Sequence, residues 1–240
     1  MRLRAAIAFL VLAGSACNGK PPPASADTPV PPPGGAPMRT WSFEEGALPA
    51  GWSAAETNSD ATPGAWRVET AQDAPEGERV LRLAETQNSG ATFNIILTDD
   101  PFPADLDLAV WLRADGGKED QGGGLLWRAQ DAHNYWIARW NPLERNVRLY
   151  VVRDGERRII ADAKTDASPD GWHELRVTAR GTAVSVALDG ETMLSGDGAE
   201  LPGGGLIGLW TKADAATSFD WLRLSPAQPP GGLIPGPVPR

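Results

Sequence analysis

The sequence predicts an all-β fold, a sandwich of short antiparallel strands. Three observations carry this. Apolar residues alternate with period two through most of the chain, as a half-buried antiparallel strand requires. Turn dipeptides separate the runs, among them Asp154-Gly155, Arg180-Gly181 and Asp189-Gly190. No amphipathic stretch of three helical turns is evident.

The alternation is clearest in the second half. Val147, Leu149 and Val151 interleave with Arg148, Tyr150 and Val152. Leu175 and Val177 interleave with Glu174, Arg176 and Thr178, and Val184, Val186 and Leu188 with Ser185, Ala187 and Asp189. Further strands are expected near 65–70, 79–84, 91–97, 106–113, 123–129, 134–140, 156–163, 205–211 and 217–224. Such a series, spaced about 8–12 residues apart, makes a sandwich or barrel. The pairs near 146–153, 156–163, 172–179 and 182–189 read as consecutive hairpins, which suits a jelly roll. Residues 41–72 alternate weakly and are expected to form loops, with one strand near 40–43 pairing with the last.

Composition narrows the function. The chain has 240 residues, 22 Lys and Arg, 31 Asp and Glu, and a formal net charge of −9. An acidic balance argues against nucleic acid as a partner. One cysteine excludes a disulfide framework and a Cys-based zinc site. Two histidines argue against a multi-His metal centre.

Four segments are expected. Residues 1–17 carry Arg2 and Arg4, then an apolar run from Ala5 to Gly14 that is too short to span a bilayer, then Ser15, Ala16 and Cys17. This resembles a bacterial lipoprotein signal, with Gly14 where such signals usually have Leu. The resemblance implies lipidation at Cys17, so that membrane contact is through the lipid anchor alone and the protein sits in the cell envelope, facing the periplasm or exterior. An ordinary secretory signal is the alternative. Residues 18–38 hold eight prolines, from Pro21 to Pro37, and read as an extended spacer. Residues 39–224 form the sandwich domain. Residues 225–240 are a Pro/Gly-rich tail expected to be disordered.

One run is more specific. Gly124-Leu125-Leu126-Trp127-Arg128-Ala129-Gln130-Asp131-Ala132-His133-Asn134-Tyr135-Trp136 resembles a stretch of concanavalin A-like jelly rolls. Asn146 to Tyr150, Gly171 to Val177, Leu188-Asp189-Gly190, Gly205 to Asp214 and Phe219 to Leu222 continue the likeness. The order is similar to the laminin-G-like and 3-keto-disaccharide hydrolase-like branches of that superfamily. The resemblance covers about 106–224. It implies two stacked, curved antiparallel sheets, with any ligand on the concave face or its rim loops. The superfamily holds glycan-binding modules and glycoside hydrolases, so function rests on the site.

Sugar faces stack on exposed aromatic rings, and Trp136, Trp140 and Tyr150, with Tyr135 beside them, are the candidates. The alternative is core packing, which is the expectation for Trp172, Trp210 and Trp221. Arg128, Arg139 and Arg148 fall on successive strands and would make a basic stripe if their registers agree. Guanidinium forks suit carboxylates and hydroxyl arrays. The alternative is cross-strand pairing with Asp131, Glu144 or Asp214. Asp131, His133 and Asn134 read as a rim contact or as turn chemistry. No strand shows the paired acids of a glycosidase, so no catalytic residue is assigned. Glu44 and Asp220, where first and last strands meet, could ligate a structural Ca²⁺. The reading is a non-catalytic module for a glycan or polysaccharide. A glycoside or 3-keto-disaccharide hydrolase is the alternative, and an envelope protein–protein scaffold the second alternative.

Overall fold

The computed structural model describes residues 39–59 and 63–227. The expectations for residues 1–38, Cys17 included, and for the tail from 228 lie outside the described residues. The described residues hold fifteen strands and no helix.

Eight strands form sheet 1: β1 (Arg39–Trp41), β3 (Ala65–Thr70), β4 (Arg79–Glu85), β6 (Leu106–Gly116), β11 (His173–Arg180), β12 (Ala183–Leu188), β13 (Glu191–Asp197) and β15 (Ala216–Pro226). Their order is β13-β12-β11-β6-β15-β4-β3, with β1 also on β15. Seven form sheet 2: β2 (Trp52–Thr57), β5 (Phe93–Thr98), β7 (Gly123–Asp131), β8 (Asn134–Asn141), β9 (Asn146–Arg153), β10 (Glu156–Lys164) and β14 (Leu206–Lys212). Their order is β10-β9-β8-β7-β14-β5-β2. Every named pairing is antiparallel, so the fold is the jelly-roll sandwich the alternation predicts.

The core lies between the sheets. Leu108, Val110 and Leu112 of β6, with Leu175 and Val177 of β11, meet Trp136, Ala138 and Trp140 of β8 and Val147, Leu149 and Val151 of β9. At about 25 cal/mol per Å² of apolar surface, this layer is the main stabilising term.

The structure corrects two expectations. β2 lies inside the stretch expected to be loop. Its Ser53-Ala54-Ala55 centre carries too little apolar contrast to show a period, yet Trp52 and Thr57 at its ends are buried. β13 was missed because it is an edge strand in which only Leu194 is buried. The hairpins read from the sequence are present, β9 with β10 in sheet 2 and β11 with β12 in sheet 1.

Sheet 2 is strongly curled. β10 and β2 are its two edges, about 29 Å apart if the sheet were flat. Yet the Asn58 side chain, just after β2, donates to the Gly155 carbonyl just before β10 at 2.9 Å. Thr57 Oγ1 also donates to the Ala132 carbonyl in the β7–β8 turn, 2.6 Å away. The face of sheet 2 turned away from sheet 1 is therefore concave, and its edges meet across it.

Candidate functional site

Register decides which residues line this concave face. In β8, Trp136 and Trp140 point into the inter-sheet core, and Tyr135, Ile137, Arg139 and Asn141 point the other way. In β9, Asn146, Arg148, Tyr150 and Val152 join them. Trp210 and Lys212 of β14 and Phe93 and Ile95 of β5 share the face. From β10 come Arg157, opposite Val152, and Asp162, opposite Arg148.

Part of this face is apolar. Tyr135, Ile137, Leu126, Ile95, Val152, Phe93 and Trp210 form a second hydrophobic cluster. Tyr135 closes it, its hydroxyl 2.6 Å from Thr57 Oγ1, and burial pushes its phenol pKa well up.

The rest is a charged network. Arg139 stands directly opposite Arg148. Glu144 Oε2 accepts from Arg139 Nη2 at 2.9 Å and from Arg148 Nη1 at 2.6 Å. Arg148 Nε donates to Asp162 at 3.0 Å. Asp120 Oδ1 accepts from Asn141 at 2.7 Å, and its Oδ2 lies 3.1 Å from Lys212 Nζ and 3.5 Å from Arg139 Nη1. Burial opposes the charge on Glu144, but Asn146, Arg139 and Arg148 outweigh it and hold its pKa below the ordinary glutamate value. The network grades outward, from Arg139 and Asp120, nearly inaccessible, to Glu144, whose side chain is 40% exposed.

Asp120 comes from the loop between β6 and β7, and that loop is fixed. Asp214 accepts backbone N–H bonds from Lys118, Glu119 and Asp120 at 2.7, 2.9 and 3.1 Å. Burial works against the Asp214 charge, and these N–H groups outweigh it, so its pKa is lowered. Gly117 has φ +131, and a Cβ there would lie 1.9 Å from the Asp120 carbonyl, so only glycine fits the turn.

Arg157 completes the face. Its guanidinium carbon lies 4.3 Å from the Tyr150 ring centre, 5.2 Å from Phe93 and 5.7 Å from Trp210. That is cation–π distance to three rings.

Several sequence expectations need correction. Trp136 and Trp140 are wholly buried between the sheets, and Trp136 stacks on Trp127 at 6.2 Å, so neither offers a ring to a ligand. Tyr135 is on the concave face but is sealed against Thr57. Arg128 is not in the stripe. A bulge in β7 gives it φ +51 and turns it to the end of the sandwich. There it donates to the carbonyls of Ala104 and Gly181 at 3.1 and 2.7 Å and of Gly198 and Leu201 at 3.4 Å. Arg139, Arg148 and Tyr150 do come together, but Tyr150 and Arg139 are as buried as the two tryptophans, and only Arg148 keeps an open edge. Asp131 accepts from the His133 N–H at 2.7 Å and from the Asn134 side chain, which is turn chemistry. Trp172 and Trp221, expected in the core, are half-buried on the outer side of sheet 1, beside Arg113 and Arg223.

The two residues named for calcium bond to backbone. Glu44 accepts N–H bonds from Glu78 and Arg79, and Asp220 from Glu76 and Trp221. Both carboxylates are occupied by backbone. Among the described residues no group of three or more His, Cys, Asp or Glu could hold a metal ion. Ca²⁺ needs six to eight oxygens. Burial, with Glu76 and Glu44 nearby, pushes the Asp220 pKa up to about 7.

Sequence reasoning missed Asp120, Asn141, Arg157 and Lys212. Two carried a signal: Asn141 lies two residues after Arg139, and Lys212 two after Trp210, on the same strand faces. Asp120 and Arg157 reach the site through a loop and a sheet edge.

No protein-family model matches the chain, and no curated protein matches it. Solved structures do. A carbohydrate-binding module from Bacillus subtilis has a TM-score of 0.58 at 18% identity, covering 73% of this chain and 95% of its own. A galectin-like protein of unknown function from Bacillus subtilis has a TM-score of 0.53 at 13% identity, covering 73% and 89%. Domain 4 of an extracellular arabinanase from Geobacillus stearothermophilus, solved with arabinotriose, has a TM-score of 0.51 at 13% identity, covering 78% and 91%. At such identities the likeness is one of fold, and the chain is an antiparallel jelly-roll sandwich of the kind these domains share.

Proposed function

We propose that the protein is a non-catalytic glycan-binding module, held at the bacterial envelope by a lipid on Cys17 and displayed on the Pro-rich spacer at 18–38. One observation carries the binding role: at the open side of the concave face of sheet 2, Arg148, Lys212, Glu144 and Asp162 keep exposed edges over the buried Arg139, Asp120 and Tyr150. Sugar hydroxyls are recognised by such charged hydrogen-bonding groups. The fold neighbours include a carbohydrate-binding module and an arabinanase domain solved with arabinotriose, which supports the reading. A single shallow face binds weakly, and tethering many copies compensates through avidity.

Hydrolysis is the second reading, because Asp120 and Glu144 flank Arg139 as two acids flank a scissile bond. A general acid needs a raised pKa. Glu144 is held below its usual value and Asp120 is paired with Lys212 and Arg139, which favours binding. The experiment is a titration of the full chain in detergent against a polysaccharide panel, followed by Trp fluorescence and by product analysis. Saturable binding without products is expected. Released sugar would replace this reading with hydrolysis, and no binding across the panel would remove it. Palmitate labelling in a bacterial host, lost in Cys17→Ser, tests the anchor.

A further inference from the structure

The charged open side of sheet 2 lies at one end of the sandwich, where β8 and β10 stop at Asn141 and Lys164 and β9 begins at Asn146. Arg39, where β1 starts, and Pro226, where β15 stops, lie at the other end, about 35 Å away along the 11 residues of β6. Beside the open side, between the β8–β9 turn and the end of β10, is an open cleft of about 320 Å³ lined by Glu144, Arg145, Lys164, Thr165 and Asp166. Small-ligand sites span about 300–1,000 Å³. The cleft walls are fixed by the fold itself. The Thr165 N–H donates to the Arg145 carbonyl at 3.1 Å, and Arg145 pairs with Asp166.

Glu144 joins this cleft to the concave face. Its Oε2 accepts from Arg139, Arg148 and Asn146, and its Oε1 accepts nothing among the described residues. Lys164 stands opposite Asn146, on the same side of the sheet as Arg148 and Asp162. It is exposed, and its ammonium has no partner among the described residues. A free acceptor and a free donor, both on exposed residues, thus line one cleft, and neither is spent on the fold.

The accessible charges here cancel. Arg145, Arg148 and Lys164 stand among Glu144, Asp162 and Asp166, three of each sign. The ion-paired side chains among them stay accessible, from 21% at Arg148 to 85% at Asp166. An anionic ligand would meet three carboxylates, and a cationic one three cations, so no net field draws in either. A hydroxyl both donates and accepts, so neighbouring hydroxyls of one sugar can accept from Lys164 and donate to Glu144. We propose that this cleft is a second sugar subsite, in which Lys164 and Glu144 hold one unit of an uncharged glycan while the adjoining unit lies at Arg148 and Asp162. This rests on the glycan-binding reading and narrows it to neutral chains of two or more units.

The test uses the full chain in detergent, titrated with neutral arabinan, galactan, xylan and levan and with acidic polygalacturonate and alginate. Oligosaccharides of increasing length, cut from the neutral polymers, follow, beside the single sugars. Saturable binding to at least one neutral polymer is expected, tighter than to either acidic one. Oligosaccharides should bind at least about threefold more tightly than the single sugar, as one added hydrogen bond gives. Lys164→Met should remove that gain and leave single-sugar binding as it is in the wild type. Acidic polymers binding as tightly as neutral ones overturn the substrate class. A wild type without length dependence, or a Lys164→Met variant that keeps it, overturns the subsite. Each of these leaves the glycan-binding reading standing, whereas binding of nothing in either set overturns both. If Lys164→Met fails to fold, the wild-type length dependence and the neutral-against-acidic comparison still decide.

Discussion

Arg139 and Arg148 face each other across β8 and β9, and one oxygen of Glu144 accepts a hydrogen bond from each. Like charges directly opposite in a sheet are destabilising. Here the Glu144 carboxylate, set in the turn between the two strands, offsets the repulsion. The turn is itself held by the Glu144 N–H, which donates to Asn141 Oδ1 at 2.9 Å. The sequence spacing Arg139–Asn141–Glu144–Asn146–Arg148 thus encodes one hairpin end and its charge pattern together.

Glu144→Gln should therefore destabilise the fold by about 1 kcal/mol, the loss being small because this carboxylate is partly exposed. The double variant Glu144→Gln with Arg148→Met should lose less than the sum of the singles, because the repulsion goes with Arg148. Urea unfolding of the four proteins measures the coupling, and strict additivity would contradict the bridge.

Arg128 has a structural task. Four backbone carbonyls from three loops converge on its buried guanidinium. Arg128→Met would leave those carbonyls unpaired, and a loss of about 3–5 kcal/mol is expected in chemical denaturation. A loss below about 1 kcal/mol would mean that water replaces the side chain readily.

Tryptophan variants separate core from surface. Trp136→Ala empties a site packed against Trp127 and should cost about 3–5 kcal/mol. Trp221→Ala, on the half-exposed outer side of sheet 1, should cost much less, about 1 kcal/mol. Thermal melts of both variants check the ranking, and similar losses would place Trp221 in the core after all.

Stability should fall as pH rises through neutrality. Asp220 has its pKa raised by burial to about 7, so the folded state keeps a proton that the unfolded chain releases near pH 4. Its contribution is complete below that range and lost as pH rises through about 7. His173 acts in the same direction. It bonds Asp189 at 2.7 Å and the Ser168 carbonyl at 2.8 Å, and the Asp189 bond raises its pKa above 6.5. That contribution is present below 6.5 and lost as pH rises through the folded value. The melting temperature should drop between about pH 5 and about pH 8. Asp220→Asn should flatten the lower part of the curve and His173→Gln the upper part. A melting temperature that rises over this range would contradict both assignments.

Much of the fold was legible because sheet 1 strands such as β11 and β12 are buried on one side only, and period two shows plainly there. The faces of β8 were not. Its two sides are both apolar for most of its length, Trp136, Ala138 and Trp140 on one and Tyr135 and Ile137 on the other. Periodicity has no contrast to report in such a strand, and the aromatic rings were placed on the wrong side. Arg139 and Arg148 were legible because a charge marks its own face. Arg157 was hidden: its neighbours Phe93 and Trp210 lie far along the chain and meet it only because sheet 2 curls. Asp120 depends on the grip of Asp214, nearly a hundred residues away.

The most direct test of the account is a glycan titration of three proteins: wild type, Arg148→Ala on the concave face and Trp221→Ala on the opposite sheet, each confirmed folded by its melting curve. The account predicts saturable binding that Arg148→Ala weakens at least tenfold and Trp221→Ala leaves intact. Binding lost with Trp221 and kept without Arg148 would move the site to sheet 1 and contradict it.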